Sequence, residues 1–272
     1  MPPPGAPAQK LVLPGVRHVL AVASGKGGVG KSTVAANLAV ALQMHGRRIG
    51  LMDADIYGPS IPLMFGLGLV DQTRTPFPIE KFGLKLMSMG FLVDPSQAVI
   101  WRGPKVAQAV AQFLAGVNWG DLDDLVIDLP PGTGDAQLTL CQQAPLSGAI
   151  VVTTPGEVAL IDARKAVKMF EEVRVPVLGI LENMSHFTTD DGTQHRIFGE
   201  GGGAKLAAEA GVPFLGELPI DPRVAACADA GEPMVRKHTN AAISTAYLAL
   251  AQRIAAVLDA LPEGSELPAV EL

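Results

Sequence analysis

The sequence predicts an α/β fold with a doubly wound, mostly parallel sheet, and three observations lead to this class. Short apolar runs with the length of buried strands alternate with segments of helical periodicity. A glycine-rich stretch joins the first such run to the first helical segment, and acidic residues end two later runs. Alternating strands and helices with short connections form a parallel sheet that helices cover on both faces.

The length and composition fit one large domain. The chain has 272 residues, of which 48% are hydrophobic and 18% charged. Residues 1–14 are rich in proline and are predicted to be a flexible segment, and residues 262–272 are predicted to be a flexible acidic tail. The folded domain is therefore expected over residues 15–261.

Charge and hydropathy argue against several classes of protein. A net charge of −6 disfavours a broad nucleic-acid surface, which needs many Lys and Arg side chains. No apolar run reaches the ~18 residues of a membrane helix, and no secretory leader is expected. The two cysteines, Cys141 and Cys227, lack metal-type spacing and are expected to be small buried residues of helices. We therefore expect a cytoplasmic protein without stable membrane or nucleic-acid binding.

The individual elements follow from the apolar periodicity. Segment 215–222 and the glycine-rich stretch 199–203 complete the predicted domain, and the last helix is expected to pack on the core because it lacks the basic face of a membrane anchor. Strands are predicted at 18–23, 48–52, 124–129, 149–153 and 176–181, a strand or hairpin over 84–93, and helices over 34–45, after 101–104, around 163–170 and over 241–261.

The glycine-rich stretch, residues 24–33, reads SGKGGVGKST and fits the phosphate-loop pattern G-x-x-x-x-G-K-[ST]. Its backbone N–H groups are expected to surround phosphate oxygens, with Lys31 as a point charge for the β and γ phosphates and Ser32 as a Mg²⁺ ligand. The helix that begins here adds the positive end of its dipole. The predicted nucleotide-binding residues are Gly25, Lys26, Gly27, Gly28, Val29, Gly30, Lys31, Ser32 and Thr33.

Carboxylates end two of the predicted strands. Asp53 and Asp55 follow the second strand, and Asp128 closes the strand over 124–129. Ligands of open α/β sheets bind at this edge, where carboxylates can hold Mg²⁺ or orient the attacking water. A solvated turn or helix caps would be the structural alternative for the first pair. The glycine-rich turn at 130–135 is a candidate switch segment.

Asn183 follows the strand over 176–181. A side-chain amide offers both a donor and an acceptor, so this residue is a candidate contact for an adenine edge.

Seven segments together resemble the Mrp/ApbC family, P-loop ATPases described as iron–sulfur cluster carriers and related to the MinD/ParA ATPases and the nitrogenase iron protein. The likeness covers residues 14–260 and implies a P-loop NTPase fold of the MinD/ParA-like type. The segments are SGKGGVGKST at 24–33, DADIYGPSIP at 53–62, WRGP at 101–104, VIDLPPGTGD at 126–135, TTPGEVALIDARK at 153–165, ENMS at 182–185 and IFGEGGG at 197–203.

The resemblance implies a homodimer that closes over two ATP molecules. Lys26 corresponds to the family's signature lysine, which reaches the nucleotide held by the partner protomer. Asp53 and Asp128 correspond to the Mg²⁺-linked and strand-end acids, Asp55 to the water-positioning carboxylate, and Asn183 to an adenine contact. By this likeness the catalytic residues are Lys26, Lys31 and Asp55, and the Mg²⁺ ligands are Ser32, Asp53 and Asp128.

The sequence departs from the family at the cluster site. Cluster-carrying members have C-x-x-C between the ENMS and IFG segments, whereas residues 186–196 of this chain contain no cysteine. Because thiolates hold most iron–sulfur clusters, the usual site cannot be built. His186, Asp190, Asp191 and His195 could bind another metal, although such residues on a turn are more often solvated.

The favoured hypothesis is an iron–sulfur cluster carrier or assembly ATPase of Mrp/ApbC type, which acts on apo acceptor proteins without a cluster at the usual site. One alternative is a MinD/ParA-like positioning ATPase that binds membrane or DNA in its ATP state. Another is a non-catalytic nucleotide-dependent scaffold.

Overall fold

The computed structural model describes residues 10–56, 58–67, 77–91, 110 and 114–261. The strands are β1 (Val16–Ser24), β2 (Ile49–Asp53), β3 (Ile79–Lys81), β4 (Leu84–Ser88), β5 (Leu122–Asp128), β6 (Gly148–Thr153), β7 (Val177–Thr188), β8 (Gln194–His195) and β9 (Phe214–Ile220). The helices are α1 (Lys31–Met44), α2 (Ile61–Met64), α3 (Asp135–Gln143), α4 (Glu157–Glu172), α5 (Gly202–Ala210), α6 (Arg223–Asp229), α7 (Met234–Lys237) and α8 (Ala242–Asp259).

These strands form one nine-stranded sheet in the order β3-β4-β2-β5-β1-β6-β7-β8, with β9 also paired to β7. The pairings are parallel except for β3 with β4 and β8 with β7. Since consecutive parallel strands require crossover connections, the helices lie over the two faces of the sheet. The predicted doubly wound, mostly parallel sheet is confirmed.

Alternation along β1 shows how both faces are buried. Val19 and Ala21 belong to one apolar cluster, together with side chains from α3, α4 and α5. Leu20 and Val22 belong to the second cluster, with α1, α7 and α8. A strand that is covered on both faces reads as a continuous apolar run, and the short apolar run that ends at the glycine-rich loop was the signal that located it.

The structure differs from the strand or hairpin that was predicted over residues 84–93. β4 pairs with the upstream strand β3 through a turn at Phe82 and Gly83, whose φ angles are +51° and +77°. Positive φ at both turn positions matches the twist of a tight hairpin, and the glycine there was the missed signal. Residues 89–91 form a 3₁₀ turn, and residues 92–93 lie outside the described part.

Several other expectations concern the ends of elements. The start of the helix predicted after 101–104 lies outside the described residues, but Val110 and residues 114–116 are helical. Cys141 and Cys227 lie buried in α3 and α6, as expected. Within residues 10–14, Leu13 is buried in the core.

None of the helices in the described part of the chain has the length and apolar character to cross a bilayer.

Candidate functional site

The predicted phosphate loop joins β1 to α1 at the carboxyl edge of the sheet. Gly28 and Gly30 have φ angles of +83° and +84°, a left-handed conformation that glycine adopts without strain. Gly25 is required for space, because a Cβ there would lie 2.0 Å from the backbone carbonyl carbon of Asp162 in α4. The loop leads into the N-terminus of α1, where unpaired N–H groups and the helix dipole favour an anion.

Lys31, the first residue of α1, points into a buried polar cluster. Its Nζ donates to Asp128 Oδ1 at 2.5 Å and to Ser32 Oγ at 3.2 Å. Both Lys31 and Asp128 are buried. The cation, the carboxylate and the hydroxyl that the sequence assigned to phosphate and Mg²⁺ are therefore joined directly.

Asp53 and Asp128 are neighbours across the sheet. The register of β2 places Asp53 beside Asp128 on β5 and beside Ser88 on β4. Asp53 Oδ1 accepts the N–H of Asp55 at 3.1 Å, while Oδ2 accepts the N–H of Ile61 at 3.1 Å and the Ser88 hydroxyl at 3.2 Å. Strand pairing thus fixes two carboxylates side by side at the edge where ligands bind.

Burial dominates the protonation of this pair. It raises the pKa of Asp53 to about 7, with the charge of Asp128 as the second cause. Burial also raises the pKa of Asp128, although the Lys31 ammonium acts in the opposite direction. Asp128 Oδ2 is buried and has no hydrogen-bond partner among the described residues. A cation bound at these oxygens would satisfy that orphaned atom, so the donor set fits Mg²⁺.

A cleft of about 200 Å³ lies over the loop. Its lining includes Lys26 and Ser32 from the loop and Asp55 and Pro131 from the connections after β2 and β5. Asp55 Oδ1 accepts the N–H of Gly58 at 3.1 Å, so its carboxylate is held by the turn that it begins. The structure therefore brings the three predicted catalytic residues, Lys26, Lys31 and Asp55, into one cleft.

Asn183 lies against the phosphate loop. Its Nδ2 donates to the Val29 carbonyl at 2.9 Å, and a Cβ at Gly30 would lie 2.3 Å from the same nitrogen. In this structure the amide supports the loop backbone, a contact between residues 154 positions apart that sequence patterns did not reveal. The adenine contact stays a prediction.

Residues 186–196 form a hairpin that is closed by its own polar groups. Thr189 and Thr193 both donate to Asp191 Oδ1, the first from its hydroxyl and the second from its N–H. His186 lies 3.7 Å from Glu217, and His195 is exposed on β8. Among the described residues there is no group of three or more His, Cys, Asp or Glu side chains that could hold a metal ion.

The two cysteines lie in the interior, within α3 and α6. Burial raises the pKa of the Cys141 thiol to about 12 and also raises that of Cys227. Metal binding by cysteine requires the thiolate. The residues present therefore do not fit an iron–sulfur cluster in the folded chain.

Besides the Asn183 contact, sequence reasoning missed two supports of the site. Ser88 holds Asp53, and only the register of β4 beside β2 could have indicated it. The backbone of Asp162 lies against Gly25, although this residue belongs to a segment already singled out by its similarity.

A glycine-shaped phosphate loop, a buried lysine and strand-end carboxylates on a parallel sheet define a P-loop nucleoside triphosphatase. The chain belongs to the ParA family, described as NUBPL iron-transfer P-loop NTPase, whose sequence model matches residues 15–255.

Known proteins agree with this assignment. An iron–sulfur cluster carrier protein from Aquifex aeolicus is 51% identical over 253 residues, which cover 91% of this chain and 70% of that protein. The ADP complex of a nucleotide-binding protein from Archaeoglobus fulgidus superposes with a TM-score of 0.70 and 41% identity, covering 80% of this chain and 88% of that one. The cell division ATPase MinD of Pyrococcus furiosus, with a TM-score of 0.68 and 22% identity, covers 88% of this chain and 99% of that one and shares the fold.

Proposed function

We propose that this chain is a Mg²⁺-dependent ATPase of the iron–sulfur carrier type, which works as a nucleotide-dependent homodimer and serves apo acceptor proteins. The observation that carries the ATPase proposal is the direct contact of Lys31 with Asp128 and Ser32 beneath the cleft that Lys26 and Asp55 line. The carrier role is supported by the family and by relatives of that name. We also propose a cytoplasmic location, which is supported by two cysteines that are buried and free rather than joined in a disulfide.

Each residue has a role that follows from its position. When the nucleotide binds, the Lys31 ammonium leaves Asp128 and contacts the β and γ phosphates, where charge develops during phosphoryl transfer. Ser32, Asp53 and Asp128 would hold Mg²⁺, which supplies charge neutralisation on the phosphate oxygens. Asp55, held by the N–H of Gly58, orients the attacking water. Lys26 lines the same cleft and is proposed to reach the partner's nucleotide.

The iron–sulfur cluster is cargo in this proposal. Since both cysteine thiols are buried and their pKa values are raised, the cluster's thiolates come from the donor and the acceptor proteins. The chain contributes the nucleotide-driven step of transfer.

The ATPase is tested with Asp55→Asn. We expect Mg²⁺-dependent ATP turnover to fall about 100-fold, because the water loses its orienting carboxylate, while ATP binding stays within about twofold. The matched control is Asp190→Asn, an exposed residue of the β7–β8 hairpin. Equal turnover in both variants would contradict the assigned role and support a non-catalytic scaffold.

The carrier role is tested by anaerobic transfer of a four-iron cluster from a thiolate-bearing donor to an apo acceptor. We expect Mg-ATP and the parent chain together to accelerate acceptor activation, and Lys31→Ala to abolish the acceleration. If the chain has no effect on transfer, the carrier role fails and the ATPase stands. ATP-dependent sedimentation with anionic liposomes or DNA would instead favour the positioning ATPase.

A further inference from the structure

A glutamine in the interior of α3 lacks hydrogen-bond partners. Gln137 is 1% exposed, and neither its oxygen Oε1 nor its nitrogen Nε2 is hydrogen-bonded among the described residues. The other buried and unpaired side-chain atoms in the described part of the chain belong to His18, Asp128 and Glu182, and each of these residues is bonded through its second polar atom. Because an amide loses its hydrogen bonds to water when it is buried, an unpaired one destabilises the conformation that contains it.

Gln137 lies on the face of α3 that packs on the sheet. Leu140 and Cys141 follow it at i+3 and i+4, positions on the same face of a helix, and both belong to the apolar cluster around β1. Apolar side chains offer no strong hydrogen bond to an amide. Met has nearly the same length and helix propensity as Gln and would fill such a position without an unpaired polar group. A polar residue here therefore indicates a partner that is not part of this face.

A turn of residues 130–134 joins the proposed Mg²⁺ ligand Asp128 to α3. Pro131 in this turn lines the cleft over the phosphate loop. Gly132, with a φ angle of +91°, donates its N–H to the carbonyl of Ser24, the first residue of the glycine-rich stretch, at 3.1 Å. The turn therefore borders the cleft that is proposed to bind the nucleotide, and Gln137 lies in the first turn of the helix that follows.

The turn has room to change its conformation. A Cβ at Gly132 or at Gly134 would meet no atom of the described residues within 4 Å, so neither glycine is packed tightly against the rest of the described chain. Glycine also adopts positive and negative φ angles with similar ease. A rearrangement of this turn is therefore not opposed by close packing at these two positions.

Gln137 is placed where it can hold the turn. Gly134 is the N-cap of α3, and Gln137 is the third residue of the helix. A Gln at this position can accept the backbone N–H of the N-cap residue, the arrangement known as a capping box. In this structure the amide makes no such bond. One rearrangement of the turn would both pair the buried amide and fix the segment that borders the cleft.

We propose that Gln137 is a positioning residue of the ATPase, which holds the 130–134 turn beside the bound nucleotide. When Mg-ATP binds, the turn changes its conformation and Oε1 of Gln137 accepts the N–H of Gly134. The inference rests on the proposed function, because Mg-ATP is the ligand that selects this conformation. The amide favours the change, since it is unpaired before the change and paired after it, and the apparent affinity for nucleotide rises accordingly.

The first experiment uses Gln137→Met, which keeps the length of the side chain and removes both polar atoms. Without nucleotide, we expect Tm to rise by about 2–6 °C, because the unpaired amide is gone. The affinity for a non-hydrolysable ATP analogue with Mg²⁺, measured by calorimetry, should fall about fivefold or more, because the turn loses its hydrogen bond. Gln142→Met, at an exposed position of the same helix, is the matched control and should leave both quantities unchanged.

Hydrogen exchange, measured by mass spectrometry, locates the effect. In the parent chain, Mg²⁺ with the analogue should slow amide exchange in a peptide that covers residues 130–141, because the turn becomes hydrogen-bonded. In Gln137→Met at saturating analogue, this gain in protection should fall by at least half. A peptide that covers the phosphate loop should be protected equally in both proteins, because both bind the analogue. A side chain that only packs in the core would not change this local response.

The outcomes separate this inference from the proposed function. If the parent chain does not bind the analogue, the ATPase proposal and the inference both fail. If the parent binds it but Gln137→Met has a lower Tm than the parent, Gln137 contributes to packing alone and only the inference is overturned. If Gln137→Met has a higher Tm but keeps the parent's affinity and protection, the amide does not act on the turn, and the inference is again overturned.

Discussion

Two groups of acidic residues at the carboxyl edge of the sheet differ in burial, and the difference separates a site from a turn. Asp53 and Asp128 are fully buried beside Lys31, and one carboxylate oxygen lacks a partner among the described residues. Asp190 and Asp191, on the β7–β8 hairpin, are exposed, and Asp191 is satisfied by neighbours within two residues. A buried carboxylate oxygen without a hydrogen-bond partner costs free energy, so its presence indicates that a ligand binds there. The hydrogen bonds within the hairpin already satisfy Asp191, so the hairpin gives no such indication.

The largest expected effect comes from Lys31. In Lys31→Ala the phosphates lose their cation and Asp128 is left as an uncompensated buried carboxyl group. We expect ATP turnover to fall about 1,000-fold, measured as phosphate release at saturating Mg-ATP. Lys168→Ala, on an exposed position of α4, is the control. If Lys31→Ala keeps its ATP turnover, the buried cluster of Lys31, Asp53 and Asp128 is no more a catalytic site than the β7–β8 hairpin.

The second effect is a pH dependence of stability. Because the folded-state pKa of Asp53 is raised to about 7, the native state binds more protons than the unfolded chain between pH 4 and 7. The free energy of unfolding, measured by urea titration in EDTA, should therefore fall by about 2–4 kcal/mol as the pH rises from 5 to 8. Asp53→Asn should flatten this slope, whatever its absolute stability.

If the free energy of unfolding of the unsubstituted chain rises as the pH rises from 5 to 8, the raised pKa assigned to Asp53 is contradicted. Mg²⁺ with a non-hydrolysable ATP analogue should oppose the loss, since a ligand that binds the ionised carboxylates of the folded state stabilises it.

The smallest effect is expected at the hairpin. Hydrogen bonds from Thr189 and Thr193 lower the pKa of Asp191, but the residue is exposed and is not among the residues that line the cleft. Asp191→Ala should leave ATP turnover within about twofold and shift Tm by no more than about 2 °C. Metal analysis after anaerobic purification should find equal iron in the unsubstituted chain and in Asp191→Ala. Iron that disappears in Asp191→Ala would make the hairpin a metal site.

The sequence was sufficient for the parts of the site that local patterns encode. The phosphate loop follows from glycine spacing, and Asp53 and Asp128 follow from acids that end apolar runs. Their adjacency depends on strand order, which brings β5 beside β2 although about 70 residues separate them. The contacts of Ser88, Asn183 and the backbone of Asp162 depend on packing between distant segments, and no local pattern encodes those.

The hairpin shows the opposite case. Its residues offered a possible metal site from their chemical types alone, and three-dimensional placement separates His186 and His195 into different environments. His186 contacts Ser185 and lies near Glu217, whereas His195 is exposed. Residue type predicted what the segment could bind, and geometry determines whether the ligands converge.

The central claim, that one phosphate loop serves two protomers, is tested most directly by mixing two inactive variants. Lys26→Ala keeps its own Asp55, and Asp55→Ala keeps its own Lys26, so a mixed dimer has one complete site only if Lys26 acts across the interface. We expect each variant alone to be nearly inactive and an equal mixture to recover up to about a quarter of parental ATP turnover. A mixture as inactive as its components, with mixed dimers present by sedimentation, would contradict the shared site.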